Sequence, residues 1–153
     1  MSEAAQSRFV YVTFIRTTPE RLWSALTSPD VMREYWFGMH CESDWRAGSA
    51  WRLVFPDGRV ADTGEILEAE RPKRIVIKWH NEWKPELKAE GFSRCTMELE
   101  PAGEAVKLTI THETTVPRSQ LIEAVSGGWP RILSNLKSLI ETGKTLVLPP
   151  KGG

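Results

Sequence analysis

Between Met39 and Glu113 the chain repeats one pattern: a short run of alternating apolar and polar residues, a turn signal, then another run. Successive side chains of an extended backbone point to opposite faces, so each run has one apolar face and one polar face. "SAWRLVF" puts Trp51, Leu53 and Phe55 on one face, and "RIVIKWH" does the same with Ile75, Ile77 and Trp79. "FSRCTMELE" groups Cys95, Met97 and Leu99; "AVKLTITHE" groups Val106, Leu108, Ile110 and His112. "MHCESDW" and "RVADTGEILEAE" complete the meander. The separators "RAG", "PDG", "RPK" and "PAGE" are turn-forming, and "NEWKPELKAEG" is a longer polar connection that can be a solvated loop or a lid. Upstream, "RFVYVTFIR" sets Phe9, Tyr11, Thr13 and Ile15 against Val10, Val12 and Phe14. The pattern predicts one antiparallel sheet of roughly six to seven strands.

A sheet with one apolar face needs a cover. "LIEAVSGGWPRILSNLKSLIETG", Leu121 to Gly143, supplies apolar residues at helical spacing. It also contains Gly127, Gly128 and Pro130. In a helix interior glycine costs about 1 kcal/mol relative to alanine, and proline about 3 kcal/mol. One apolar row nevertheless runs Val125, Gly128, Ile132, Leu136, Leu139, and a second runs Val125, Trp129, Leu133, Leu136, Ile140. Because the stripe keeps its phase, the expectation is one helix from near Pro117–Ser119 to a glycine stop at Gly143, bent between Ser126 and Pro130. Two short helices precede the meander, with Thr18 and Ser28 as N-caps and Pro19 and Pro29 at the first helical positions. The expected class is α+β: a curved antiparallel sheet wrapped around a long C-terminal helix, in one domain over residues 1–153 with flexible tails at 1–7 and 146–153.

Twenty Lys plus Arg balance twenty Asp plus Glu, which gives no electrostatic reason to expect nucleic acid. There is no long apolar run, so no membrane insertion is expected. Two cysteines and no secretory leader pattern point to a cytoplasmic protein. Seven tryptophans are more than either the five Phe or the two Tyr, so several must be buried in a core or around a pocket.

A curved sheet around one helix leaves space between them, and the candidate ligand contacts are the residues facing that space. From the sheet these are Trp51, Leu53, Phe55, Trp79 and the strand-end His112; Trp36 closes the second short helix at the rim. From the long helix they are Val125, Gly128, Trp129 and Leu133, with Gly128 over a gap that Trp129 crosses. His112 is read as a satisfied core or rim histidine or, facing the space, as a ligand hydrogen-bonder or general base. Asp62 shares a face with Val60 and Ile66, and an inward carboxyl has a raised pKa unless paired. His40-Cys41 lacks a second ligand pair, so no metal is expected; no nucleotide or nucleophile motif implies a cofactor or a covalent mechanism.

Three stretches carry a family resemblance. "FIRTTPERLWSALTSPDVMREYW" (14–36), "DWRAGSAWRLVFPDGRVADTGEILEAERPKRIVIKW" (44–79) and "GGWPRILSNLKSLIETG" (127–143) resemble, in order and spacing, the activator of heat-shock-protein-90 ATPase (Aha-type) C-terminal-domain family in its stand-alone bacterial form. That family is part of the START-like (SRPBCC) superfamily. The family's double glycine after the arginine is Gly48-Ser49 here. The resemblance implies the helix-grip fold with a cavity between sheet and helix. It also implies a choice of roles, because the superfamily includes lipid carriers, hormone binders, polyketide cyclases and co-chaperone domains. The expected function is therefore binding of a hydrophobic or aromatic small molecule by a monomer or weak homodimer, as a binder rather than an enzyme. The alternatives are a stress-response co-chaperone that activates a heat-shock-protein-90-type ATPase, and a cyclase- or hydrolase-type enzyme using His112 with Asp62.

Overall fold

The alternating segments become seven strands in the computed structural model, which describes residues 5–146. In chain order the elements are β1 (Ser7–Ile15), α1 (Pro19–Thr27), α2 (Pro29–Tyr35), β2 (His40–Ser43), β3 (Ala50–Val54) and β4 (Val60–Glu70). They continue with β5 (Arg74–Asn81), α3 (Pro85–Lys88), β6 (Phe92–Ala102), β7 (Ala105–Thr114) and α4 (Gln120–Thr142). All pairings are antiparallel, in the order β1-β7-β6-β5-β4-β3-β2. β2 to β7 are thus a simple meander, and β1 joins it beside the last strand. This is the expected helix-grip arrangement, with α1 and α2 inserted after the first strand.

The register turns the sequence alternation into one inner face. Trp51 pairs with Gly64, and Gly64 with Trp79; Trp79 pairs with Ser93, Ile77 with Cys95, and Cys95 with His112. On β1, Phe9, Tyr11, Thr13 and Ile15 face inward while Val10, Val12 and Phe14 are exposed. Irregularities between Leu53 and Val54 and between Ile66 and Glu68 interrupt the pairing of β4 with its neighbours. Such bulges bend a strand and increase its twist.

Local chemistry starts and stops the helices where expected. Thr18 Oγ1 accepts from Arg21 N at 3.3 Å and Ser28 Oγ from Val31 N at 3.4 Å, each with proline opening the first turn. Ser119 Oγ accepts from Ile122 N at 3.1 Å to begin α4, and Gly143, at φ 82°, ends it with its N–H on Leu139 O at 2.8 Å. α4 is one continuous helix through Pro130. The Gly48-Ser49 turn keeps glycine where φ is 88°, while the Ser49 hydroxyl binds within the turn, donating to Arg46 O at 2.7 Å. The flexible start expected for residues 1–7 does not extend to Ser7: Ser7 pairs with Thr114, and Gln6 N donates to Thr114 O at 2.8 Å. Residues 1–4 and 147–153 of the expected tails lie outside the described residues. Among the described residues no helix is long and apolar enough to cross a membrane.

Candidate functional site

A cavity of about 210 Å³ lies between the N-terminal half of α4, the ends of β3 to β5 and the connection from β5 to β6. Six of the ten sequence candidates on its wall are aromatic or aliphatic side chains: Trp36, Leu53, Phe55, Trp79, Val125 and Trp129. Gly128 lines it as well, which agrees with its place on the sheet-facing row.

The other three candidates stand elsewhere. Trp51 lies beneath Trp79, with ring centroids 4.4 Å apart, and supports the wall from behind. Leu133 is buried in the core one helical position past Ile132, the residue that does line the cavity. His112 faces inward as its strand parity requires, but it is sealed from the cavity and fully buried.

The surroundings of His112 are those of a satisfied core histidine, not of a ligand contact or a general base. The Trp129 indole N–H donates to His112 Nδ1 at 3.2 Å. An indole only donates, so the imidazole proton sits on Nε2, which donates to Ser93 Oγ at 2.9 Å. Ser93 in turn donates to Trp79 O at 3.4 Å. Both ring nitrogens are occupied, and burial holds the pKa down at about 3. His112 is a neutral strut that orients Trp129 and, through Ser93, touches the backbone behind Trp79. It shares no hydrogen bond with Asp62, so the acid–base pair proposed from the sequence does not form.

Asp62 is on the wall instead. Its side chain is 6% exposed, and Oδ1 is buried with no hydrogen-bond partner. Burial pushes its pKa up to about 7, against the lowering pull of hydrogen bonding from Trp79 and Asn81. A buried carboxyl oxygen without a partner is uncommon and costly in a folded protein.

The polar connection turns out to be structural. Asn81 ends β5 buried, with Oδ1 accepting from Lys84 N at 2.9 Å. Leu87 of α3 is buried, and Trp83, Lys84 and Leu87 form one wall of the cavity. Glu90 fastens the far end of the connection to α4: one carboxylate oxygen accepts from Ser119 Oγ and the other from Gln120 N at 2.7 Å. Trp83, 48% exposed and edge-on to Phe55 at 5.4 Å, stands at the mouth. Charged residues dominate this segment's sequence, and the few apolar ones among them gave no periodic signal. The one local signal available is Trp83 itself, a tryptophan in a polar stretch.

His40 and Cys41 point to opposite faces of β2: His40 Nε2 meets Glu42 at 2.9 Å, and Cys41 is buried inward. Among the described residues no group of three or more His, Cys, Asp or Glu is placed to hold a metal ion.

Residues 16–141 match the family model for activator of Hsp90 ATPase homolog 1-like proteins, and the chain belongs to that family. A crystal structure of CalU16 from Micromonospora echinospora is similar at 25% identity and TM-score 0.70, covering 89% of this chain and 77% of that one. A Mesorhizobium loti protein matches at 23% identity and TM-score 0.75, covering 88% of this chain and 97% of its own. An Hsp90 activator from Plasmodium falciparum matches at 24% identity and TM-score 0.70, with 86% and 94% covered. The last two likenesses concern the fold. A search of curated proteins finds no match.

Proposed function

We propose that this member of the activator of Hsp90 ATPase homolog 1-like family binds a small apolar or aromatic molecule in the cavity between sheet and α4. One observation carries the reading: a cavity of about 210 Å³ is walled by Trp36, Phe55, Trp79 and Trp129 and is reached past the half-exposed Trp83. Apolar concave sites with a few convergent polar groups are where proteins hold small ligands. The reading places the protein in the cytoplasm, as a monomer or weak homodimer, in keeping with two free, buried thiols at Cys41 and Cys95.

The test is mass spectrometry of the purified chain under native and then denaturing conditions. A retained small molecule that is released on unfolding is the expected result. A cavity that neither carries a molecule nor accepts apolar probes in titration ends the proposal.

A second reading has its own observation. Val10, Val12 and Phe14 are 44–51% exposed in a row on the outer face of the edge strand β1. Such a row suits a protein partner, and an activator of an Hsp90-type ATPase would use a surface of this kind. The partner chaperone's ATPase rate, measured with saturating protein and with its Phe14→Ser variant, decides it: no stimulation by either removes the reading.

A further inference from the structure

The α4 side of the cavity is apolar. The residues α4 contributes, Leu121, Ala124, Val125, Gly128, Trp129 and Ile132, carry no charge. Across from them Asp62 sits in the wall with Oδ1 unpartnered. The oxygen is an acceptor without a donor, on a carboxyl held by β4 opposite Asn81 and beside Trp79, in a residue that lines the cavity. Leucine or asparagine at this position would remove or soften the desolvation cost that the buried carboxyl imposes.

We propose that the cavity's ligand is a flat aromatic molecule carrying one N–H or O–H donor, and that Asp62 Oδ1 receives that donor. The assignment rests on the ligand-cavity reading given above and deepens it. The tryptophans bind the ring system without regard to its substituents, because apolar contact is non-directional. Asp62 then selects among aromatic molecules, since a ligand lacking the donor leaves the carboxyl buried and unpaired. Ionised carboxylate is the stronger acceptor, so selection sharpens as Asp62 loses its proton. The groups that bias this proton are Glu82 just after β5 and His80 on β5; the nearby Cys41 thiol on β2 is kept neutral by burial, and Lys84 completes the charged residues of the cavity wall.

Indole and N-methylindole form a matched pair of probes: the same ring, with and without the N–H. Calorimetric titration of the full chain at about pH 8 should give indole roughly tenfold tighter binding, the worth of a hydrogen bond to a charged acceptor. The preference should shrink at about pH 5.5, where Asp62 holds its proton. Asp62→Ala should bind both probes with the preference gone, and the isosteric Asp62→Asn should retain a reduced preference without the pH dependence. Melting curves confirm that each variant is folded. Equal binding of the two probes by the unmodified chain, or a preference that survives in Asp62→Ala, overturns the assignment and leaves the cavity reading in place. No binding of either probe overturns the cavity reading, and this assignment with it.

Discussion

Trp51 and Trp79 stand on strands that are not neighbours, yet their rings approach to 4.4 Å between centroids. The strand between them, β4, contributes Gly64 to the same row, paired with Trp51 on one side and Trp79 on the other. With no side chain at 64, the two indoles close over the gap. A Cβ built there would stand 1.7 Å from Lys78 O and 3.5 Å from the Trp51 ring. The first of these is backbone and has nowhere to go.

Gly64→Ala should therefore be among the most damaging single-methyl substitutions in the chain. The strand must shift to relieve the Lys78 clash, and the Trp51–Trp79 pair must separate. A loss of at least about 3 kcal/mol is expected, in the range of severe overpacking. Urea denaturation followed by tryptophan fluorescence measures it, and a near-native midpoint would show that β4 has slack the register does not suggest.

The pH dependence of stability should reflect two buried groups pulling in opposite directions. His112 is held near 3 in the fold, below its ordinary value near 6.5, so the unfolded chain binds the extra proton between those values. Its contribution is complete above about pH 6.5 and is lost as pH falls toward 3. Asp62 is raised from 3.8 to about 7, so the folded chain holds the extra proton. Its contribution is complete below about pH 4 and is lost as pH rises toward 7. Between about pH 4 and 6.5 the two slopes oppose each other, and the stability of the unmodified chain should be nearly level across that window. Asp62→Asn removes one slope. It should be more stable than the parent at neutral pH and should lose stability steeply on acidification, by up to about 1.4 kcal/mol per pH unit. Parallel pH series of urea midpoints for the two proteins check this.

Glu90 ties the cavity's loop wall to the start of α4 through Ser119 Oγ and Gln120 N. A carboxylate at a helix N-terminus satisfies free N–H groups and complements the helix dipole. Glu90→Ala should cost about 1 kcal/mol of global stability. Its local effect should be larger: amide exchange in residues 82–91 and in the first turn of α4 should speed up together, because one carboxylate holds both. Faster exchange in only one of the two segments would mean that the wall is held by Leu87 and Asn81 alone.

What was legible in the sequence is what depends on near neighbours. Strand parity placed Trp79 and Leu53 on the inner face, and the Ser/Thr-Pro pairs at 18–19 and 28–29 marked helix starts, because each signal lies within a few residues. Parity also turned Asp62 inward. It did not reveal that Asp62 lines the cavity while His112 is closed off from it. That difference is made by Trp129 and Ser93, which reach His112 from α4 and β6. Gly64 carried no local mark either, since its importance comes from two tryptophans on either side that only the strand pairing brings together.

Gly128 poses the remaining question of why a long helix carries a residue that weakens it. It lies on the cavity wall beside Trp129 and Val125, so the absence of a side chain is volume left open to the cavity. Stability and capacity should then respond in opposite directions. Gly128→Ala gains helix propensity worth about 1 kcal/mol and removes little volume, so it should raise the urea midpoint while indole still binds. Gly128→Leu adds a branched chain that fills the space apolar probes would occupy. It should fold, match or exceed the parent in stability, and bind indole at least about tenfold more weakly, because buried apolar contact is what the ring gains from the wall. If Gly128→Leu binds indole as well as the parent does, the probe sits elsewhere and the glycine serves the packing of α4 alone.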